Sequence, residues 1–353
     1  MSKEIGKKGY LHKILTHLLN LFSSRKTIIF DAPFAFHLHH LLPVINKLIE
    51  INEYKIIIIS PEKNKILAPN IKFYQSLPIY VQGDIFITTE FGRKPYWLDA
   101  KTIYFGHGIG PKFNYLANDE LLNFDFLYSP CLPIYNVQKK VISTDKIIKV
   151  GLPIIEKTPP DKANFLKYFN FLDTKKTIIY APSWCDNTNM ISDIQKILIF
   201  LNNQEDVNII ISPHPLLLDP YKCNGKTVFK NIPSNLIINP PNSPYSTFDL
   251  ISLSDGLISD ISSVLFEGMA LDKVSFFDGN EQIYEYYEAS AVLQSLLKAC
   301  PIPNWEKQDN KYLINTLNQD KHRDARSEFI HSYLFNVKTA SIVFINHLKE
   351  LIK

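Results

Sequence analysis

The sequence predicts an α/β protein with two Rossmann-like domains, whose parallel sheets face a cleft, and a helical C-terminal tail. Three observations support this prediction. The chain has 353 residues, more than a single domain of ordinary size, and its composition of 46% hydrophobic and 21% charged residues is typical of globular proteins. Short apolar runs rich in β-branched residues alternate with helical patterns in two successive series. A proline-rich segment over residues 152–162 separates the two series.

The first series predicts an N-terminal Rossmann-like domain over residues 26–152. Its strand-like runs are apolar on both faces, which is typical of central strands in a parallel sheet. These strands are expected at residues 26–32, 55–60, 83–89, 101–106, 126–130 and 146–151, with a helix over 39–50.

The second series predicts a C-terminal Rossmann-like domain over residues 153–320. Strands are expected at 175–184, 207–215, 235–240, 255–260 and 273–277, and helices at 190–203, 243–254 and 262–271. The pattern predicts a mostly helical chain from about Tyr284. We expect helices over 321–353 to pack back across the two domains.

Residues 1–25 predict an amphipathic helix. Its apolar stripe consists of Leu11, Ile14, Leu15, Leu18, Leu19 and Phe22, with lysines and one arginine around it. Such a helix either lies on an anionic membrane surface or packs on the first domain. No apolar run is long enough to cross a bilayer, and the start lacks the pattern of a secretory signal.

Charge and cysteine usage restrict the partners and the compartment. The net charge of +3 is too small to indicate a nucleic-acid partner. The four cysteines lie far apart, without metal-ligand spacing: Cys131, Cys185, Cys223 and Cys300. We therefore expect reduced thiols and a cytoplasmic protein. A homo-oligomer is left open.

One candidate site residue follows the strand at 101–106. His107 stands between Gly106 and Gly108, which let the backbone turn sharply and a ligand approach closely. An imidazole at the carboxyl end of a parallel strand is well placed to accept a proton from an alcohol. Lys112 adds positive charge for a phosphate. The alternative is a glycine-rich turn with an incidental histidine.

A second candidate lies where the strand at 255–260 passes into the next helix. Asp260 ends the strand, and Ser262 and Ser263 open the helix. A serine-headed helix start favours a phosphate, because it offers hydroxyls beside unpaired backbone N–H groups. Glu267, one turn further, is placed to accept hydrogen bonds from ribose hydroxyls. The alternative is that Asp260 or Ser262 only caps the helix.

Two further strand ends carry polar or aromatic side chains. His214 stands between two prolines that hold the backbone extended, either as a donor to a phosphate oxygen or as a structural histidine. Ser183 and Trp184 lie in the turn that ends the strand segment 175–184, and Trp184 either walls a nucleotide site or packs in the core. The histidines of residues 36–40 suggest a capping or acceptor-side role, and no metal site is predicted. Neither a Walker A loop nor a GxGxxG motif is present.

Taken in order, these pieces resemble the CDP-glycerol glycerophosphotransferase family of teichoic-acid and capsule polymer synthesis. The resemblance covers roughly residues 80–290. Its matching pieces are His107-Gly108 with Lys112, Tyr180 to Trp184, His214-Pro215, and Ser259 to Ser263 with Phe266.

The resemblance implies a GT-B-like fold with an acceptor domain followed by a nucleotide-donor domain. It implies that His107 is the base for an acceptor hydroxyl, and that His214 contacts the donor phosphates with Ser262 and Ser263. Ser183, Trp184, Ser259 and Asp260 are assigned to the donor site as well. The donor would be a CDP-alditol, the acceptor a glycan or lipid-linked polymer, and the released nucleotide CMP. Family members are peripheral on the cytoplasmic face of the membrane.

The sequence departs from the family pattern at Cys185, where arginine is usual, and in the C-terminal region, which has no clear Asp-Gly with a nearby arginine. Three alternatives therefore stay open. They are a GT-B glycosyltransferase of capsule or lipopolysaccharide synthesis, a nucleotide-sugar epimerase, and a non-catalytic nucleotide-binding subunit. Whether a divalent cation takes part is also left open.

Overall fold

The computed structural model describes residues 25–61, 71–78, 81–95, 97–113, 116–184, 194–218, 229, 232–233, 236–278, 284–285 and 288–353. The chain divides into two compact units. The first unit comprises the chain up to Gly108, Leu116–Lys157 and Leu334–Lys353, and the second comprises Ile109–Tyr115 and Thr158–Tyr333. The amphipathic helix predicted for residues 1–25 lies outside the described residues, apart from Arg25.

The first unit is built on a seven-stranded parallel sheet. Its strands are β1 (Thr27–Asp31), β2 (Lys55–Ile59), β3 (Ile71–Tyr74), β4 (Ile85–Thr88), β5 (Lys101–Tyr104), β6 (Phe126–Ser129) and β7 (Ile147–Lys149). They lie in the order β3-β2-β1-β4-β5-β6-β7, and every described pairing is parallel. The helices of this unit are α1 (Ala35–Ile51), α2 (Leu132–Gln138) and, at its C-terminal end, α10 (Ala340–Ile352).

The strands of the first unit are buried on both faces. In β1, Ile28 and Phe30 join a core with residues of α1 and α10, whereas Ile29 packs on the opposite face with Ile57 and Phe86. Because successive side chains of a strand point to opposite faces, only a sheet covered on both sides accepts such continuous apolar runs.

The second unit is built on a five-stranded parallel sheet. Its strands are β8 (Lys176–Tyr180), β9 (Val207–Ile211), β10 (Ile237–Ile238), β11 (Gly256–Ser259) and β12 (Val274–Phe277), in the order β10-β9-β8-β11-β12. Its helices are α3 (Lys162–Phe169), α4 (Ile194–Asn202), α5 (Thr247–Leu253), α6 (Ser263–Ala270), α7 (Ser290–Ala299), α8 (Tyr312–Gln319) and α9 (Arg323–Tyr333).

The predicted α/β class with parallel sheets is confirmed, and the differences are local. The sequence did not predict β3, α2 or α3, and α1 begins at Ala35 rather than at residue 39. The tail predicted over 321–353 divides, since α9 belongs to the second unit and α10 to the first. No helix of the described ranges has the length and apolar character needed to cross a membrane. Cys131 and Cys300 are buried and form no disulfide within the described part of the chain.

Each sheet has a point where the strand order reverses. In the first unit β1 lies between β2 and β4, and in the second β8 lies between β9 and β11. Connections leave the two sides of such a point in opposite directions, which opens a crevice beyond the carboxyl ends of the strands. This topology predicts one ligand-binding crevice at β1 and β4 and another at β8 and β11.

Candidate active site

Three titratable side chains meet at the crevice of the first unit. His37 lies in the first turn of α1, Glu90 just after β4, and His107 just after β5. Ligand atoms of the three side chains all lie within 4.8 Å of one another. The predicted residue His107 thus stands at the topological switch point, beside two residues that sequence reasoning did not single out as a group with it.

Hydrogen bonding assigns the ring nitrogens of neutral His107. Its Nδ1 lies 3.1 Å from the carbonyl oxygen of Thr89 and 3.3 Å from Oε1 of Glu90. Because both partners accept hydrogen bonds, Nδ1 carries the proton and Nε2 keeps its lone pair. Gly106 has a φ of 73° and Gly108 a φ of 153°, so the turn around His107 uses glycine conformations, as predicted. The geometry therefore presents His107 with a basic Nε2.

The buried, neutral ring of His37 packs against the ring of His107. The two rings stack with centroids 4.0 Å apart and planes 19° apart, and His37 Nδ1 lies 2.9 Å from Oγ1 of Thr89. Burial, followed by the charge of His107, lowers the pKa of His37 far below its usual range. Burial also lowers the pKa of His40 to about 3. The histidines of residues 36–40 were expected ahead of a helix, but His37, His39 and His40 all lie inside α1, whose N-cap is Phe34.

The spacing of His37, Glu90 and His107 is short enough for a shared metal ion, but the ring orientation does not suit one. An imidazole binds a metal through a lone pair in its own plane, at about 2.1 Å. The His37 and His107 planes are stacked nearly parallel, so their lone pairs do not converge on one point at that distance. In this arrangement the cluster fits a hydrogen-bonded assembly better than a metal centre.

An ion pair braces the same crevice. Arg93 donates to the buried carboxylate of Asp31 through Nε at 3.0 Å and through Nη2 at 2.9 Å. The Thr88 hydroxyl donates to Asp31 at 2.9 Å and accepts from the backbone N–H of Glu90 at 3.2 Å. Burial raises the pKa of Glu90, while the charges of His107 and Arg93 act in the opposite direction. This network ties the carboxyl ends of β1 and β4 together.

In the second unit, the predicted site residues gather at the carboxyl ends of β8, β9 and β11. The carboxylate of Asp260 accepts from the backbone N–H of Ser183 at 3.1 Å and from that of Ser262 at 3.1 Å. The backbone N–H of His214 donates to the carbonyl of Pro182 at 3.3 Å. Asp260 thus organises two loops, and its predicted place in the donor site stays a prediction.

His214 has the tautomer opposite to that of His107. Its Nδ1 accepts the backbone N–H of Leu216 at 3.2 Å, so in the neutral ring the proton sits on Nε2. Trp184 lies beside it, with ring centroids 5.9 Å apart, and also packs against the core of this unit. The contact with the core supports a packing role for Trp184, and the contact with His214 supports a role as a wall of the site. His214 is a hydrogen-bond donor at Nε2, as its predicted role requires.

The three serines have different surroundings. Ser259 is fully buried and donates to the carbonyl of Ala181 at 2.6 Å, so it joins β11 to the loop after β8; its predicted place in the donor site stays a prediction. Ser262 is the half-buried N-cap of α6, and within the described residues its hydroxyl makes no capping bond to the helix. Ser263 Oγ accepts the backbone N–H groups of Ile109 and Gly110 at 3.1 and 2.9 Å.

The segment after His107 belongs to the second unit. Besides the two bonds to Ser263, the Tyr333 hydroxyl donates to the carbonyl of Ile109 at 2.7 Å. Gly110 approaches α6 so closely that a Cβ there would lie 3.0 Å from the carbonyl oxygen of Ile261. The half-buried Lys112 is carried on this segment, in the same unit as the start of α6. Sequence reasoning assigned Ser263 to phosphate, whereas the structure also gives it this anchoring role.

Glu267 lies in the interior of the second unit. It is only 3% exposed, and burial raises its pKa to about 7. A strongly shifted carboxyl one turn from the start of α6 is typical of functional sites, although structural positions share the property. Its predicted contact with ribose hydroxyls stays a prediction.

The sequence matches a known family and two curated proteins. The sequence model of the family described as CDP-Glycerol:Poly(glycerophosphate) glycerophosphotransferase matches residues 112–336. A teichoic acid glycerol-phosphate primase of Bacillus subtilis is 25% identical over 200 residues, 55% of this chain and 49% of the primase. A teichoic acid poly(glycerol phosphate) polymerase of Staphylococcus epidermidis is 26% identical over 195 residues, 51% of this chain and 26% of the polymerase. The match thus spans half or less of these curated relatives.

Solved structures confirm the fold. The wall teichoic acid polymerase TagF superposes with a TM-score of 0.67 at 18% identity, covering 98% of this chain and 97% of that one. The structure of S. aureus MnaA with UDP has a TM-score of 0.60 at 12% identity, covering 93% of this chain and 97% of that one. These likenesses establish the predicted GT-B-like α/β fold class.

Proposed function

Because this chain belongs to the CDP-glycerol:poly(glycerophosphate) glycerophosphotransferase family, we propose that it transfers an alditol phosphate from a CDP-alditol to a hydroxyl group of a cell-surface glycan or polymer. The transfer releases CMP. CDP-glycerol is the donor that the family description favours. The acceptor's identity is part of the proposal only as a class, an alcohol on a glycan or lipid-linked polymer.

The observation that carries the proposal is that Nε2 has opposite hydrogen-bonding roles in two histidines, each of which lies near the switch point of its own sheet. His107 offers an unprotonated Nε2, which suits a base, and His214 offers an Nε2–H, which suits a phosphate donor. In the proposed reaction His107 accepts the proton of the acceptor hydroxyl, and that oxygen attacks the β-phosphorus of the donor. The bond from this phosphorus to the bridging oxygen breaks, and the electron pair leaves with CMP.

The donor side of the proposal rests on α6 and its surroundings. The helix start supplies backbone N–H groups and the Ser262 hydroxyl, and its dipole favours an anion. His214 and Lys112 add a donor hydrogen and a positive charge for the pyrophosphate. Glu267 is proposed to accept hydrogen bonds from ribose hydroxyls, and Trp184 to flank the nucleotide. Phosphoryl transfer depends on such positioning and charge stabilisation more than on covalent catalysis.

Activity is tested by incubating the purified protein with a panel of CDP-alditols and nucleotide sugars and a polyol phosphate acceptor. We expect CMP release with a phosphodiester product from CDP-glycerol. Formation of a glycoside would support the glycosyltransferase alternative, which Cys185 keeps open. Interconversion of UDP-sugars would support the epimerase alternative, since the fold also resembles that of a UDP-GlcNAc 2-epimerase from Neisseria meningitidis. Binding of donor without turnover across the panel would indicate a non-catalytic subunit.

The role of the base is tested with His107→Ala. We expect this variant to lose transfer by about 10²–10⁴-fold and to keep its affinity for the donor. His331→Ala is the matched control, because His331 is exposed and bonds only locally to the carbonyl of Ser327 among its described contacts. Unchanged turnover in His107→Ala would exclude His107 as the base.

We also propose that the protein works at the cytoplasmic face of the membrane, where a lipid-linked acceptor would lie. The support is the basic, amphipathic pattern of residues 1–25. Flotation with anionic vesicles should carry the intact chain and leave behind a variant with Leu11, Leu15 and Leu18 changed to Asn. Equal flotation of both would contradict this location.

A further inference from the structure

We propose that Glu90 is the positioning residue for His107: its carboxylate lies beside Nδ1–H, which the Thr89 carbonyl accepts, and stabilises the imidazolium formed when Nε2 takes the acceptor proton. The proposal rests on the proposed function for its catalytic consequence. Its structural part, the control of the His107 charge, is independent of the substrate.

The geometry places Glu90 against the correct nitrogen. Oε1 of Glu90 lies 3.3 Å from Nδ1 of His107, next to the Thr89 carbonyl at 3.1 Å from the same nitrogen. The Nδ1–H therefore bonds to the Thr89 carbonyl with the Glu90 carboxylate beside it at ion-pair distance, and Nε2 lies on the far side of the ring. This is the arrangement in which a base is oriented by a third group.

The backbone of Glu90 is fixed by its neighbours. Its N–H donates to Thr88 Oγ1, the Thr88 hydroxyl donates to Asp31, and Asp31 is held by two bonds from Arg93. Asp31 is fully buried, so this chain of bonds is anchored inside the sheet. The carboxylate of Glu90 is thus supported from the carboxyl ends of both β1 and β4.

His37 limits the ways in which the His107 ring can turn. It stacks on His107 at 4.0 Å, and its own Nδ1 is 2.9 Å from Oγ1 of Thr89 and 3.8 Å from Oε1 of Glu90. Because burial keeps His37 neutral, it does not compete with His107 for the negative charge. A rotation of the His107 ring would have to break the Nδ1 bond to Thr89 and disturb the stacking on His37.

The charges around the pair decide its pH behaviour. The titratable groups facing Glu90 and His107 are His37 and His40 from α1, Asp31 from β1, and Arg93 after β4. Both α1 histidines are held neutral by burial, and Asp31 is compensated by Arg93. The Glu90 carboxylate is therefore the negative group left to balance an imidazolium at His107. In the reaction the proton moves from the acceptor hydroxyl to Nε2, while Nδ1–H and the carboxylate keep their protonation states.

Glu90→Gln tests the proposal, because the amide keeps the shape and removes the charge. We expect kcat to fall by about 10²–10⁴-fold, while donor KM changes less than about threefold. The acidic limb of the pH profile of kcat/KM should move to lower pH, because the imidazolium loses its partner. Glu90→Asp should restore part of kcat. Glu53→Gln, an exposed carboxyl before the amino end of β2, is the control and should behave like the parent.

A second measurement separates this inference from the proposed function. NMR of ¹⁵N-histidine-labelled protein without substrate should show an Nδ1–H tautomer for His107 in the parent and in the Glu53→Gln variant. In Glu90→Gln the same tautomer should persist, because the Thr89 carbonyl still accepts Nδ1–H, but the imidazolium signal of His107 should appear only at lower pH than in the parent. An imidazolium that forms at the same pH in both proteins would overturn the inference even if transfer activity is present. It would also be overturned if chelation abolished activity in the parent and Glu90→Gln lost a bound divalent cation, because Glu90 would then be a metal ligand.

Discussion

The burial of Glu267 makes a quantitative prediction about stability. Its pKa is raised from 4.5 to about 7 by burial, so between these pH values the folded protein holds a proton that the unfolded chain has released. Stability is therefore highest, with respect to this group, below pH 4.5 and falls as the pH rises to about 7. At 1.36 kcal/mol for each pKa unit, the full loss is about 3 kcal/mol. Glu267→Gln removes the ionisation and with it this pH dependence.

The assay is urea unfolding of the parent and of Glu267→Gln at several pH values from 4.5 to 8. Trp184 and Trp305 both belong to the second unit, so a Trp97→Phe background confines the fluorescence signal to that unit. We expect the stability of the parent relative to the variant to decline by about 3 kcal/mol across this range and to level off above pH 7. The slope is diagnostic, because a constant offset reports only how well the glutamine packs. A difference independent of pH would refute the reasoning.

Three more predictions concern the second unit. His214→Ala should weaken donor binding by about 10-fold or more, because a hydrogen bond to a charged group contributes about 1.5–3 kcal/mol, and calorimetric titration with CDP-glycerol measures it. Ser263→Ala should lower the free energy of unfolding by about 1–3 kcal/mol, since two part-buried N–H groups lose their acceptor, whereas Ser262→Ala should mainly affect donor affinity; equal destabilisation by both would contradict the anchoring role of Ser263. Gly110→Ala should cost roughly 1–3 kcal/mol, because its Cβ meets backbone atoms of α6, and an unchanged melting temperature would show that the segment yields without cost.

The fold was predictable where local pattern and tertiary environment agree. Runs such as Lys55–Ile59 are buried almost throughout, so their continuous apolar character predicted central parallel strands. β3 was missed because this strand, Ile71–Tyr74, is only partly buried and carries an exposed lysine. α2 was missed because it is seven residues long and begins with a proline in its first turn, which reads locally as a loop.

The sequence predicted only those site residues that their immediate neighbours mark. Glycines flank His107 and prolines flank His214, which indicates a special backbone conformation at each, and both histidines follow strands as expected. Glu90 has no such local mark; it joins His107 only because β4 and β5 are neighbours in the sheet. A topological prediction of strand order would have supplied the missing signal. Likewise, the bonds of Ser263 reach residues more than 150 positions away, and no local pattern encodes them.

The interleaved course of the chain limits how this protein can be dissected. Ile109–Tyr115 completes the second unit although it is encoded within the first, and Leu334–Lys353 completes the first although it follows the second. A single cut after residue 157 would leave the first fragment without α10. It would leave the second fragment without the segment Ile109–Tyr115, whose first two residues bond to Ser263 and Tyr333. Separate expression of either unit therefore requires that the missing segment or helix be joined back through an added linker.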